Sequence, residues 1–195
     1  TDNKLKVWLE VEMAHLESLL FNVTDKTITQ EEFDIVFNNI KIDKDRWLEI
    51  EKETKHDVQA FVQMLEESIP GNAGRWIHYG LTSSDVLDTS LTLMCKKSLK
   101  EVLNSCALAL YNLNKLIKSE VSSRNILSRT HGKSAEIQTY YDLFTRWSSL
   151  LRRGYDEVTQ AEKKIKYGKF SGTSGNNTFN SKLNENSALE ILGLH

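Results

Sequence analysis

Five histidines, His15, His56, His78, His131 and His195, carry the side chains of this chain that change charge near neutral pH. Taken singly, a histidine is more often a surface or core residue than a catalyst, and His15 and His195 have neighbours that ask for nothing more. The other three stand in polar company. His56 lies in Thr54-Lys55-His56-Asp57, a helix start where basic and acidic groups crowd together. His78 leads into Tyr79-Gly80-Leu81-Thr82-Ser83-Ser84-Asp85, and His131 follows Arg129-Thr130 and precedes Gly132. Imidazoles so placed suit general acid–base work.

Thr82-Ser83-Ser84-Asp85 can be read in two ways. Any of these residues caps a helix by accepting hydrogen bonds from the free N–H groups of the first turn. The same hydroxyls and N–H groups make a site for a carboxylate or phosphate. Ser171-Gly172-Thr173-Ser174-Gly175-Asn176-Asn177 is either a flexible connection or a backbone-rich loop that approaches a ligand. It is not a phosphate-binding P-loop, because no Gly-Lys-Ser/Thr follows at the required spacing. No pair of histidines or cysteines has metal-ligand spacing, so no metal is expected. A serine hydrolase is disfavoured too, since no strand–turn–helix elbow surrounds a serine.

The elements that must position these residues follow from composition. Hydrophobic residues make up 39% and charged residues 27% of the 195, which describes a globular chain of one substantial domain or two small ones. No apolar run approaches the ~20 residues a membrane helix needs. No basic segment followed by an apolar one opens the chain, so no signal peptide is expected. The chain opens within a helical pattern, and further residues upstream are expected. Net charge is -2 with both signs interspersed, which gives no argument for nucleic acid. Cys95 and Cys106 stand eleven residues apart on one helix, ~16 Å of rise and too far for a disulfide. They read as buried thiols in a reducing compartment, the cytoplasm.

A single proline occurs where average usage would give about ten, so long helices are permitted. Leu5, Trp8, Leu9, Met13, Leu16 and Leu20 recur at helical spacing. Thr29 with Glu32 has the capping-box pattern and precedes Phe33, Val36, Phe37 and Ile40. A third helix is expected from near Asp43, with Trp47 and Ile50. A fourth holds Val58, Phe61, Val62 and Leu65 and ends at Pro70-Gly71, followed by a break to Gly74. Two long helices are then expected, from about Ser84 to Val121 and from about Ser134 to Tyr167. Loops at Ser122–Lys133 and Gly168–Asn180 separate and follow them, and no strand is expected. The expectation is an all-α fold: a small helical domain over 1–83, then the first part of a long-helix bundle over 84–195.

A helix of ~36 residues is about 54 Å long, whereas a compact globule of this size is roughly 42 Å across. Cys106-Ala107-Leu108-Ala109-Leu110 is apolar all round, and such a segment is buried on every side. Two long helices cannot bury that surface alone. Further chain, other subunits or both are expected to complete the bundle.

Together these segments resemble the fumarase/aspartase superfamily and, within it, the adenylosuccinate lyases. The motif T-R-H-D-V-x-A-F is matched by Thr54-Lys55-His56-Asp57-Val58-Gln59-Ala60-Phe61. The block H-Y-G-L-T-S-x-D-V-x-D-T is matched from His78 to Thr89. G-R-T-H-G-x-H-A-E-P is matched less completely from Ser128 to Ile137, and G-K-x-S-G at Gly168-Lys169-Phe170-Ser171-Gly172. Ser134 stands where the family usually has a second histidine and Ile137 where it has proline. Lys133 and Ser128 are also unusual.

The resemblance implies β-elimination of fumarate from adenylosuccinate, giving AMP, and from the succinylated aminoimidazole carboxamide ribotide. His131 would be the general acid that protonates the departing nitrogen. Lys55, His56 and Asp57 would contact substrate, and Thr82 and Ser83 would hold a succinyl carboxylate. His78, Ser84 and Thr130 would support them. No cofactor, nucleic acid or membrane is implied, and a homotetramer with active sites shared by three subunits is. The family's base is a serine in a downstream Gly-Ser-Ser-x-Met-Pro loop that these 195 residues do not contain, so the chain is expected to be a truncated form, inactive alone. The alternatives are a non-catalytic helical nucleotide-binding or oligomerisation module of the same descent, and another fumarate-releasing lyase of the superfamily.

Overall fold

With one proline in the chain, little interrupts helix growth. The computed structural model, which describes residues 2–20, 28–176 and 182–195, is mainly all-α, as expected. Seven α-helices are described: α1 (Asp2–Leu20), α2 (Gln30–Asn39), α3 (Lys44–Thr54), α4 (Asp57–Ser68), α5 (Ser83–Ile117), α6 (Tyr140–Lys164) and α7 (Lys182–Ile191). Two strands join them, β1 (Asn125–Thr130) and β2 (Lys133–Thr139). The chain divides into two compact units, Thr1–Cys95 with Lys166–His195, and Lys96–Ile165.

In the first unit, the apolar stripe of α1 is buried through Leu5, Trp8, Val11, Leu16 and Leu19. Trp8 meets Phe61 of α4 edge to face, with ring centres 5.3 Å apart, and neither ring is exposed. Helix starts are set locally. Thr29 and Glu32 form the capping box of α2, Asp43 caps α3 through the N–H groups of Asp45 and Arg46, and the His56 side chain caps α4 through Gln59 N–H. The expected loop after α6 leads into α7, which packs on α1. Asn177 and the expected loop end at Asn180 lie outside the described residues. Lys166 and Gly168 are tied to His195: His195 N–H donates to Lys166 O, and Gly168 N–H to His195 O.

The second unit corrects the sequence reading. Residues 125–139, expected as a loop and a helix start, form an antiparallel hairpin with Asn125 opposite Thr139 and Thr130 opposite Lys133. Its turn is His131-Gly132, with φ of 50° and 76°. Positive φ at both central residues matches the right-handed twist of paired strands, which is why two-residue hairpins use such turns. Neither strand buries a face, so no apolar–polar alternation announces it. The helix therefore starts at Tyr140, where Thr139 and Asp142 form a second capping box. Likewise α5 ends at Ile117, and Glu120–Ser123 forms a short 3₁₀ turn.

The thiols of Cys95 and Cys106 are free and half-buried, not buried as expected. Leu108, beside Cys106, is 62% exposed. The physical reason is that no described residue covers that face of α5.

The contrast between the units predicts a contrast in mutants. Phe61→Ala should cost about 3–5 kcal/mol of unfolding free energy, the usual cost of a large cavity. Leu108→Ala in the monomer should stay within about 0.5 kcal/mol. Denaturant titration of both variants measures the difference.

Candidate functional site

The N-terminal ends of α4 and α5 come together in the first unit and wall a cleft of about 480 Å³. His56, Gln59, Glu66, His78 and Ser83 line it. Segments far apart in the chain thus share one surface. Ser83 Oγ lies 3.4 Å from His56 Nε2, while His56 Nδ1 accepts the hydrogen bond of Gln59 N–H at 3.2 Å. The ring of His56 is therefore both a helix cap and a wall of the cleft.

The four polar residues at the start of α5 divide the two roles read from the sequence. Asp85 is fully buried and does the capping. Its Oδ2 accepts from Thr82 N–H at 3.0 Å and from Gly172 N–H at 3.1 Å. Its Oδ1 receives Lys169 Nζ at 2.9 Å, and the same ammonium donates to Ser84 Oγ at 2.9 Å. Lys169 is held in turn by its own backbone: its N–H donates to Thr89 Oγ1, which donates to Lys169 O, both at 3.0 Å. With Asp85 capping and Ser84 tied to Lys169, the Ser83 hydroxyl is left to the cleft. A second cavity of about 350 Å³ lies between Gly80-Leu81 and Ser171–Asn176, so the glycine-rich segment lines a surface built on the α5 start.

His78 joins the cleft from a residue with φ of 59°. Its Nδ1 lies 2.6 Å from Glu12 Oε1, and its backbone N–H donates to Glu12 Oε2 at 3.0 Å. The Glu12 side chain has no exposure at all. Burial opposes charge on His78, but the hydrogen bond and charge of Glu12, with Asp85 and Glu66, prevail and hold its pKa above the ordinary 6.5. His15 is a core residue. Its ring stacks on Phe170 at 5.7 Å, and its Nε2–H donates to Tyr79 O at 2.8 Å. Burial pushes its pKa below 6.5.

The remaining candidates are placed as follows. Lys55 ends α3 in the left-handed conformation, with φ of 54°, and is exposed. Asp57 opens α4 and pairs with Lys4 Nζ at 3.1 Å. Thr82 gives its N–H to Asp85, as above. Thr130 and His131 belong to the second unit, where both are exposed at the hairpin turn. Among the described residues no group of three or more histidine, cysteine or acidic side chains could hold a metal. No described helix is long and apolar enough to cross a membrane. Sequence reasoning missed Glu12, whose only signal is an acidic residue within the apolar stripe of α1. It read Asp85 only as one of four possible helix caps, and passed over Lys169 as a charged residue of a matched motif.

A family model described as Lyase matches residues 5–193. Among curated proteins, the adenylosuccinate lyase of Bacillus subtilis is 34% identical over 177 residues, covering 89% of this chain and 39% of that protein. That of Thermotoga maritima is 36% identical over 192 residues, covering 98% and 43%. The chain spans about two-fifths of the length of the curated relatives it matches. Among solved structures, the β-carboxy-cis,cis-muconate cycloisomerase of Acinetobacter calcoaceticus superposes with a TM-score of 0.84 at 20% identity, covering 100% of this chain and 47% of that one. A fumarate lyase from Mesorhizobium superposes with 0.82 at 18% identity, covering 98% and 45%. These two likenesses show the fold.

Buried His15 and half-buried His78 pull stability in opposite directions with pH. His78 titrates higher folded than unfolded, so its stabilisation is full below 6.5 and fades as pH rises through its folded value. His15 titrates lower folded than unfolded, so stability is lost as pH falls from 6.5 towards its folded value. Their joint contribution should peak near pH 6.5. Unfolding titrations across that range should show His78→Gln flattening the alkaline side and His15→Gln the acid side.

Proposed function

The chain belongs to the lyase family matched over residues 5–193, and on that premise we propose that it is the N-terminal part of an adenylosuccinate lyase. The reaction breaks the C–N bond between a purine nucleotide, or its carboxamide precursor, and its succinyl group. A base removes the proton next to a succinyl carboxylate, the electron pair forms the double bond of fumarate, and the departing nitrogen takes a proton. His131 supplies that proton, since an imidazolium near neutral pH can donate it and be recharged each turnover. Lys55, His56 and Asp57 contact substrate, and Thr82 and Ser83 hold a succinyl carboxylate. His78, Ser84 and Thr130 support them.

The observation that carries the reading is a backbone one. Lys55, His78 and His131 are the non-glycine residues with positive φ among the described residues. All three stand in the matched motifs. An L-residue pays roughly 1–2 kcal/mol for this conformation, and glycine would be cheaper at a helix end or hairpin turn. Strain of this kind gathers where a side chain is needed for function. The juxtaposition of His56 and Ser83, from two separate motifs, supports the same reading.

In this proposal residues 1–83 form the N-terminal helical domain and 84–195 the first part of a bundle domain that assembles as a cytoplasmic homotetramer. Exposed Leu108, Tyr111, Trp147 and Leu150 are apolar surface that such assembly would cover. The 195-residue polypeptide alone lacks the Gly-Ser-Ser-x-Met-Pro base loop and should be inactive.

Two experiments test this. Fumarate release from adenylosuccinate should be absent for the 195-residue polypeptide and present for one that carries these residues in a complete active site. In the latter, His131→Gln should lower kcat by about 10²–10⁴-fold, and unchanged turnover would remove His131 from the mechanism. Separately, Lys55→Gly should raise unfolding free energy by about 1 kcal/mol while weakening adenylosuccinate binding. A gain in stability with binding unaltered would reduce Lys55 to a helix end.

A further inference from the structure

We propose that Glu12 is a positioning residue for the cleft: it fixes His78 by one hydrogen bond to the ring and one to the backbone N–H, so that Nε2 is the atom left to donate to a carboxylate or phosphate group of the ligand. The inference rests on the reading of this cleft as the substrate site. Glu12 is on α1, outside every motif that pointed to function.

The geometry leaves the carboxylate little freedom. Glu12 has both oxygens engaged by one residue, Oε1 by the His78 ring at 2.6 Å and Oε2 by the His78 backbone N–H at 3.0 Å. A carboxylate accepts and does not donate, so the ring nitrogen facing it carries the proton. That assigns the Nδ1–H tautomer to the neutral ring, and a proton on both nitrogens to the charged one. The backbone bond matters because His78 has a φ of 59°. Clamping the N–H and the ring together fixes the turn and the side-chain direction at once. His78 Nε2 has no hydrogen-bond partner among the described residues, and the ring lines the cleft with His56 and Ser83. An acceptor arriving there would complete its bonding.

The charges around the ring agree with this. Glu12 and His15 of α1, Glu66 of α4 and Asp85 of α5 all act on it electrostatically. Asp85 is already matched by Lys169 and two backbone N–H groups, and burial disfavours charge on His15. Glu12 is thus the partner that holds both the ring's charge and its orientation. A buried carboxylate with no such duty would be an expensive choice in an apolar helix stripe.

The test is imidazole nitrogen NMR of the 195-residue chain labelled at histidine, with succinate, inorganic phosphate and adenylosuccinate as probes. In the unaltered protein at high pH, neutral His78 should carry its proton on Nδ1, and addition of succinate or phosphate at lower pH should move the Nε2 signal. The probe that moves it distinguishes a carboxylate site from a phosphate site. Glu12→Gln should lower the pH at which His78 titrates, mix its tautomers and weaken the effective anion about tenfold, the scale of one charged hydrogen bond. In a His78→Gln background, Glu12→Gln should have no further effect on anion binding.

A neutral His78 protonated on Nε2 in the unaltered protein would overturn the proposal even if Glu12→Gln failed to fold. Loss of stability in Glu12→Gln with unchanged tautomer and unchanged anion binding would overturn it as well, leaving Glu12 a structural residue. Adenylosuccinate bound equally by both proteins would remove the role of Glu12 and leave the proposed substrate. Succinate or phosphate bound at His78 without adenylosuccinate would do the reverse.

Discussion

A carboxylate taken out of water must be met by donors, and the burial of Asp85 dictates where they stand. Thr82 N–H belongs to the start of α5, while Gly172 N–H and Lys169 Nζ belong to the segment some eighty residues later. One side chain therefore starts the long helix and anchors the chain that returns after α6. If the returning segment were elsewhere, a charge would be left buried without its counter-ion. The same arrangement releases Ser83 for the cleft, because capping and anion binding draw on the same few hydroxyls and N–H groups.

Around that anchor the site is assembled from helix ends. His56 opens α4, His78 lies in the turn before α5, and Ser83 begins that helix. Helix N-termini leave N–H groups without partners inside the helix, and their dipoles favour negative charge. A cleft walled by two such ends and two histidines is chemically suited to an acidic ligand. The left-handed backbone at Lys55 and His78 is the cost of bringing side chains where glycine would sit more easily. Glu12, buried beneath, offsets part of that cost by bonding both the backbone and the ring of His78.

The second unit obeys a different constraint. It keeps a large apolar surface in water, along α5 and α6 and on the hairpin strands, where Ile137 is 72% exposed. Helices of this length need partners on several sides, and the described residues do not supply them. Its local structure is nonetheless well specified: a turn with two positive φ values closes the hairpin, and a capping box starts α6.

The sequence by itself determined α1 to α4, because apolar spacing, Thr29 with Glu32, and Pro70-Gly71 are local signals; it did not announce α7. It also determined the family, since the block from His78 to Thr89 is a pattern of adjacent residues. It did not reveal the hairpin at 125–139, where neither strand has a fully buried face and the residues carry no clear apolar–polar alternation. Nor could it reveal the pairing of Glu12 with His78, or of Asp85 with Lys169. Those partners lie 66 and 84 residues apart, and only folding puts a buried charge beside the group that must match it. Spacing is carried by the chain, whereas desolvation is decided by what packs around it.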